Sequence, residues 1–180
     1  MIVALAGRRV DSKDQQYPRF SSAPEVVDLV RRRIFDKLLA LEATTLVSAA
    51  ACGADLLALE AAGKLGLRRR VILPFDRDTF RTTSVIDRPG SWGPLYDDVL
   101  DEVEALGDLK IIPTSSRDEA YLETNHHIIE ESLALAKTLQ QIGAAVCVWE
   151  GKSRGEGDLT EEFGNYAQMK GLPVYNVSTL

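Results

Sequence analysis

Three stretches of this chain hold residue types whose spacing could do chemistry. In "AGRR", Ala6 to Arg9, an apolar run ends on Gly7 followed by two guanidinium groups, Arg8 and Arg9. In "SAAACGADLLALE", Ser48 to Glu60, a second apolar run dissolves into small residues before a leucine-rich helical pattern begins. In "WEGKSRGEGDLTEE", Trp149 to Glu162, Gly151, Gly155 and Gly157 permit sharp bends, while Lys152 and Arg154 offer cationic donors. Glycine-rich turns opening onto helices are where backbone N–H groups hold anions. Phosphate is the chemistry these residues suggest.

The helix starts differ in a way that bears on this. "SAPE" (Ser22 to Glu25), "SRDE" (Ser116 to Glu119) and "DLTE" (Asp158 to Glu161) match the capping-box spacing, an oxygen at the cap and Glu three residues later. The helix after Gly53 has no such oxygen. Its free N–H groups and positive dipole end form a candidate anion site, flanked by Ala50, Cys52, Ala54 and Asp55. Water and the Asp55 carboxylate are the alternative acceptors, and Asp55 would repel a nearby anion. A carboxylate at Asp158 makes the last loop better suited to a ribose or a base edge, which can donate to it.

These segments need elements to position them. Strand-like runs cover Ile2 to Ala6, Thr45 to Ala49, Arg70 to Phe75, Leu109 to Pro113, Ala144 to Trp149 and Pro173 to Val177. Helical patterns cover Pro24 to Leu41, Ala54 to Leu65, Trp92 to Leu106, Arg117 to Gln141 and Leu159 to Lys170. Nearly all-apolar strands alternating with helices predict an α/β fold, a Rossmann-like doubly wound, mainly parallel sheet of about six strands with helices on both faces. No linker divides the chain, so residues 1–180 are expected to form one domain. Ligands of such sheets sit at the carboxyl ends of the strands, where all three stretches fall. Phe80 to Gly93 has the length and polarity of a lid. Arg68 to Arg70 precedes a strand and falls at the opposite edge.

Composition narrows the function. A chain of 180 residues, 45% hydrophobic and 27% charged, can bury a core without disulfides or metal. Its two cysteines, Cys52 and Cys147, form no CxxC pattern, and the N-terminus has no signal-peptide pattern, so a reduced, cytoplasmic protein is expected. No apolar run approaches the roughly 20 residues of a membrane span. A net charge of -6 argues against a nucleic-acid partner. His126 and His127 are adjacent and point about 100 degrees apart on a helix, so no metal site is expected, and no cofactor is implied.

Taken together, "AGRR", "SAAACGADLLALE", "YLETNHHII" and "CVWEGKSRGEGDLTEEFGNYAQMKGLPVYNV" resemble the SLOG superfamily, which takes in Lonely Guy, DprA/Smf and YpsA-like proteins. The resemblance implies a Rossmannoid, homodimeric protein binding a small nucleotide-type ligand, with Asn125 near the pocket. The implied contacts are Gly7, Arg8, Arg9, Ala50, Cys52, Gly53, Ala54, Asp55, Asn125, Gly151, Gly155, Gly157, Asp158 and Thr160. Lonely Guy enzymes cleave nucleoside 5'-monophosphates and carry PGGxGTxxE in the last loop. Here the stretch Gly155 to Thr160 breaks the glycine pair, and Phe163 stands where that motif has glutamate. A ligand sensor is therefore expected ahead of an enzyme. Glu60, Asp158 and Glu161 are the catalytic candidates if an N-glycosidic bond is cleaved, and an assembly subunit with a vestigial pocket is the third reading.

Overall fold

In the computed structural model, which describes residues 1–114, 116 and 119–180, six strands form one all-parallel sheet. The elements in chain order are β1 (Ile2–Gly7), α1 (Pro24–Ala40), β2 (Thr45–Ser48), α2 (Ala54–Lys64), β3 (Arg68–Leu73), α3 (Arg77–Ser84), α4 (Trp92–Ala105), β4 (Leu109–Ile111), α5 (Ala120–Thr138), β5 (Gly143–Trp149), α6 (Leu159–Met169) and β6 (Val174–Ser178). The strand order is β4-β3-β2-β1-β5-β6, the doubly wound arrangement expected. The chain winds outward from β1 to β4, then returns to β5 on the other side of β1. The topological switch point therefore lies between β1 and β5, whose register pairs Gly7 with Val148. Such a crevice is where open α/β sheets bind ligands.

Period-two alternation sends strand side chains to two cores. Val3, Leu5, Leu46, Val71, Leu73, Val146 and Val148 pack beneath α1, α2 and α4. Ile2, Ala4, Ala6, Val47, Ile72, Ala145 and Cys147 pack beneath α5 and α6, against Ile128, Ile129, Phe163 and Ala167. Burial on both faces is what makes these strands apolar throughout.

Of the three expected capping boxes, Asp158 does cap its helix, accepting from Thr160 N at 3.0 Å and Glu161 N at 3.2 Å. Ser116 Oγ accepts from Glu119 N at 3.2 Å but stands ahead of the helix, whose cap position, Glu119, has no side-chain cap bond. The start expected at Arg117 lies outside the described residues, and α5 opens at Ala120. Ser22 caps nothing: α1 opens on Pro24 behind Ala23 with no side-chain cap bond. Proline lacks an N–H, so that helix start has one donor fewer to satisfy.

Two expectations need correction. β3 begins at Arg68, because the arginines that seemed to exclude strand pair sideways: Arg68 and Arg70 with Asp108 at 2.7 and 2.6 Å, Arg69 with Glu102, and Arg70 with Glu131 at 2.5 Å. They do lie at the edge opposite the crevice. The expected lid, Phe80 to Gly93, is half helical and anchored at both ends, with Thr82, Ile86, Asp87, Gly90 and Ser91 exposed. Asp76 caps α3 through Thr79 N at 2.9 Å, Arg77 and Arg81 tie α3 to Asp101, Glu104 and Asp97 of α4, and Phe80, Val85 and Trp92 are buried.

Candidate functional site

The crevice at the switch point opens into two adjoining spaces. The inner cavity, about 90 Å³, is lined by Ala6, Gly7, Arg9, Ala49, Ala51, Asp55, Phe80, Ser84, Tyr121, Thr124, Asn125, Leu159 and Thr160. The outer cleft, about 280 Å³, shares Gly7, Arg9, Tyr121, Leu159 and Thr160 with it and adds Arg8, Val10, Asp11, Gln15, Arg19, Arg88 and Arg154. Small residues at the strand ends leave the inner space open. Gly7 is required for a different reason: a Cβ there would lie 2.5 Å from Val148 O and 2.6 Å from Ala54 Cβ. It lets β1, β5 and α2 close against one another.

The two adjacent arginines meet opposite fates. Arg8, expected to meet phosphate, is only 3% exposed. Its Nε donates to Glu150 Oε2 at 2.6 Å, Nη1 to Asp158 Oδ1 at 2.6 Å, and Nη2 to Glu150 Oε1, Lys152 O and Asp158 Oδ2 at 3.0, 3.0 and 2.8 Å. It clamps the loop after β5 onto the end of β1, leaving little donor capacity for a ligand. Burial works against the Asp158 carboxylate, but Arg8 and the N–H groups of Arg154 and Glu161 outweigh it and hold its pKa well below the usual carboxylate range. Arg9 points elsewhere. Its Nη2 donates to Asp87, while its buried Nε has no hydrogen-bond partner.

At the start of α2, the N–H groups of Ala54 and Leu56 already have protein acceptors. Ala54 N donates to Arg8 O at 3.1 Å, Leu56 N to Ala51 O at 3.3 Å and Leu57 N to Gly53 O at 3.1 Å. Gly53 has φ +100°, and a Cβ would lie 2.7 Å from Arg8 O and 2.8 Å from Val10 N. Glycine stands there so that two backbone segments can touch. Ala50, Cys52, Gly53 and Ala54, expected as phosphate contacts, are buried and line neither space. Burial also pushes the Cys52 thiol up, with Arg9 pulling the other way.

Asp55 is the exception in that segment. It is 7% exposed, its Oδ2 accepts from Ala51 N at 3.2 Å, and its Oδ1 is buried with no partner. Burial pushes its carboxyl up to about 7, against the pull of the Ala51 N–H and Arg9. Asn125 also reaches the cavity, its Nδ2 donating to Leu159 O at 3.0 Å. That bond pins the start of α6, and with it Thr160, to α5.

The remaining expected residues fall outside. Gly151, Gly155 and Gly157 have φ of 80, 89 and 80° in exposed turns, and a Cβ on any of them would meet nothing within 4 Å. They shape the loop without drawing backbone to a ligand. Glu60 pairs with Arg31 at 2.9 Å and Lys64 at 2.6 Å on α2 and lines neither space. Glu161 accepts from Ser153 Oγ and faces a separate surface depression with Gly155 and Gly157. Asp158 is committed to Arg8 and its own helix. None of these three has a carboxylate presented to the cavity.

Sequence reading did not single out Arg19, Arg88, Ser84, Tyr121 or Thr124. Arg19 lies in the loop after β1 and Tyr121 opens the "YLETNHHII" stretch, so position offered a signal there where residue type did not, while Arg88 lies between α3 and α4, within the segment expected as a lid. Asp11 folds the first loop inward by accepting from Arg19 N at 2.8 Å and Phe20 N at 3.0 Å. Tyr121 Oη and Ser84 Oγ, 2.9 Å apart, join α5 to α3 across the cavity wall. Among the described residues, no three His, Cys, Asp or Glu side chains come together to hold a metal ion, and no helix is long and apolar enough to cross a membrane.

No protein-family model matches the chain, and no curated protein matches it. Among solved structures, the X-ray structure of DNA processing protein A (DprA) from Streptococcus pneumoniae is similar, at 14% sequence identity and a TM-score of 0.42. The match covers 96% of this chain and 57% of that one, so this chain spans little more than half the DprA length. The likeness is one of fold and assigns no ligand.

Proposed function

We propose that this chain is a SLOG-type protein that binds or senses a phosphate-bearing nucleotide or nucleotide-derived ligand in the crevice between β1 and β5. One observation carries the reading: in a chain of net charge -6, Arg9, Arg19, Arg88 and Arg154, beside Arg8, line one cleft at the switch point. Their carboxylate partners are shared or distant. Asp87 serves Arg9 and lies 3.6 Å from Arg88, Arg19 is 3.7 Å from Glu150, and Arg154 is 3.5 Å from Asp158. Glu150 and Asp158 already answer Arg8. The four cleft arginines therefore keep donor capacity for a phosphate, whose planar pairing with guanidinium is geometrically favoured.

The test is a thermal-shift panel of AMP, ADP-ribose, NAD, cyclic nucleotides and inorganic phosphate. A ligand at 100 times its Kd stabilises by about 2.7 kcal/mol, and at roughly 2–4 °C per kcal/mol for a chain of this size the melting point rises by about 5–10 °C. Arg88→Ala and Arg154→Ala should each weaken the shift and leave the unliganded melting point within about 2 °C, since their ion pairs are long, 3.6 and 3.5 Å, and both arginines are partly solvated. No shift from any phosphate-bearing nucleotide would refute the reading.

A hydrolase reading draws on a different observation, the Asp55 carboxyl poised near neutrality inside the cavity, as general acids and bases are. It replaces Glu60, Asp158 and Glu161 as the group to examine. Release of free base from nucleoside monophosphates at around 10 per second would establish that reading over the sensor.

A further inference from the structure

Arg9 Nε and Asp55 Oδ1 are two of the four buried side-chain atoms without a hydrogen-bond partner among the described residues. Both residues line the inner cavity. One is a donor and the other an acceptor, and a buried polar group left unpaired is destabilising. The pair therefore marks what the cavity is shaped to receive.

We infer that the inner cavity seats the sugar ring of the ligand, with Asp55 Oδ1 and Arg9 Nε bonding the two hydroxyls of its vicinal diol. The inference rests on the phosphate-ligand reading above, and three features select the sugar. A phosphate or carboxylate would be repelled by an ionised Asp55 and an ammonium by Arg9, which leaves neutral groups that both donate and accept, as hydroxyls do. At about 90 Å³ the cavity is well below the roughly 300–1,000 Å³ that encloses a whole ligand, so it takes one ring. Connectivity then decides between sugar and base: Arg9 lines both spaces, and the group bonded directly to a nucleotide's phosphate is its pentose. With phosphate in the outer cleft, the ring that reaches the adjoining cavity is the sugar. The Cβ groups of Ala6, Ala49 and Ala51 and the ring of Phe80 supply apolar walls for its C–H faces.

Inorganic phosphate, ribose 5-phosphate and 2-deoxyribose 5-phosphate, each titrated into the full chain by calorimetry, test this without assuming a base. Ribose 5-phosphate should bind at least about tenfold more tightly than its 2-deoxy analogue, because a site built around a hydroxyl rejects a ligand lacking it. Asp55→Ala should reduce that ratio below about threefold, because no polar atom then stands where Oδ1 stood, whereas the amide of Asp55→Asn can still donate to a hydroxyl. Equal binding of both sugar phosphates, or a ratio that survives Asp55→Ala, overturns the sugar-seat assignment while leaving phosphate binding intact. If none of the three binds, and the nucleotide panel is also silent, the phosphate-ligand reading falls and the sugar seat with it.

Discussion

The Asp55 carboxyl gives the sharpest test of the site, because a functional and a structural aspartate respond oppositely to removal of charge. Its pKa is raised from 3.8 to about 7 by burial, so the folded chain holds this proton more tightly than the unfolded chain does. The sign follows: between about pH 4 and pH 7 stability falls as pH rises, and above pH 7 the full penalty persists. Roughly 3 pH units at about 1.36 kcal/mol each set a ceiling near 4 kcal/mol. Water entering the cavity relieves part of this, so about 2 kcal/mol is the working expectation. Asp55→Asn removes the ionisation and keeps the acceptor for Ala51 N. Urea unfolding near pH 8 should show the variant more stable by about 2 kcal/mol, or roughly 4–8 °C in Tm, with the advantage vanishing near pH 4 as the parent carboxyl protonates. Asp55→Ala is the variant that should lose the preference for ribose 5-phosphate, since the Asn amide can still donate to a hydroxyl. A variant no more stable than the parent at pH 8 would refute the argument, since the carboxylate would then be satisfied by something other than a ligand.

Arg8→Ala should lower the stability of the chain by about 3–5 kcal/mol, because it leaves Glu150 and Asp158 buried without their cation; an unchanged denaturation midpoint would return Arg8 to the ligand. The pair's contribution is present at neutral pH and is lost as pH falls through the depressed Asp158 pKa, so the parent should lose more stability in acid than Arg8→Ala does, as read by unfolding midpoints across the acid range. Gly53→Ala should destabilise by about 1–3 kcal/mol, from positive φ and contact with Arg8 O and Val10 N; a stabilised variant would restore the open anion site at α2. Glu60→Gln should change nucleotide binding by less than twofold and stability by at most about 1 kcal/mol, since Glu60 pairs with Arg31 of α1 and Lys64 of α2 and lines neither space. Loss of ligand binding in that variant would mean that the crevice is not the site.

The doubly wound sheet was legible because its information is local and repeated: each strand is an apolar run and each helix a periodic one, and alternation alone implies parallel crossovers. α3 was not legible. "RDTFRTTS" has a single large buried side chain, Phe80, and its helicity depends on the Asp76 cap and on arginine pairs to α4, so no apolar stripe marks it. β3 was misjudged at its start for a related reason, since three consecutive arginines read as polar until Asp108, Glu102 and Glu131 are seen beside them.

The site divides along the same line. That loops after β1, β2 and β5 would converge followed from the topology, and Gly7, Arg9, Asp55, Asn125 and Thr160 do line the inner cavity. What each side chain does there depends on partners far along the chain. Arg8 and Arg9 are neighbours of identical chemistry, yet Arg8 meets carboxylates 142 and 150 residues away and is consumed, while Arg9 meets Asp87 with one nitrogen and keeps Nε open. Asp55 looked like an obstacle to an anion in the first turn of α2. Once Gly53 is seen pressed against the first loop, the phosphate belongs in the outer cleft and the obstacle becomes the means of discrimination. Burial acts alike on Arg8, Asp158 and Asp55. Full pairing turns the first two into a structural clamp, and the missing partner leaves the third to a ligand.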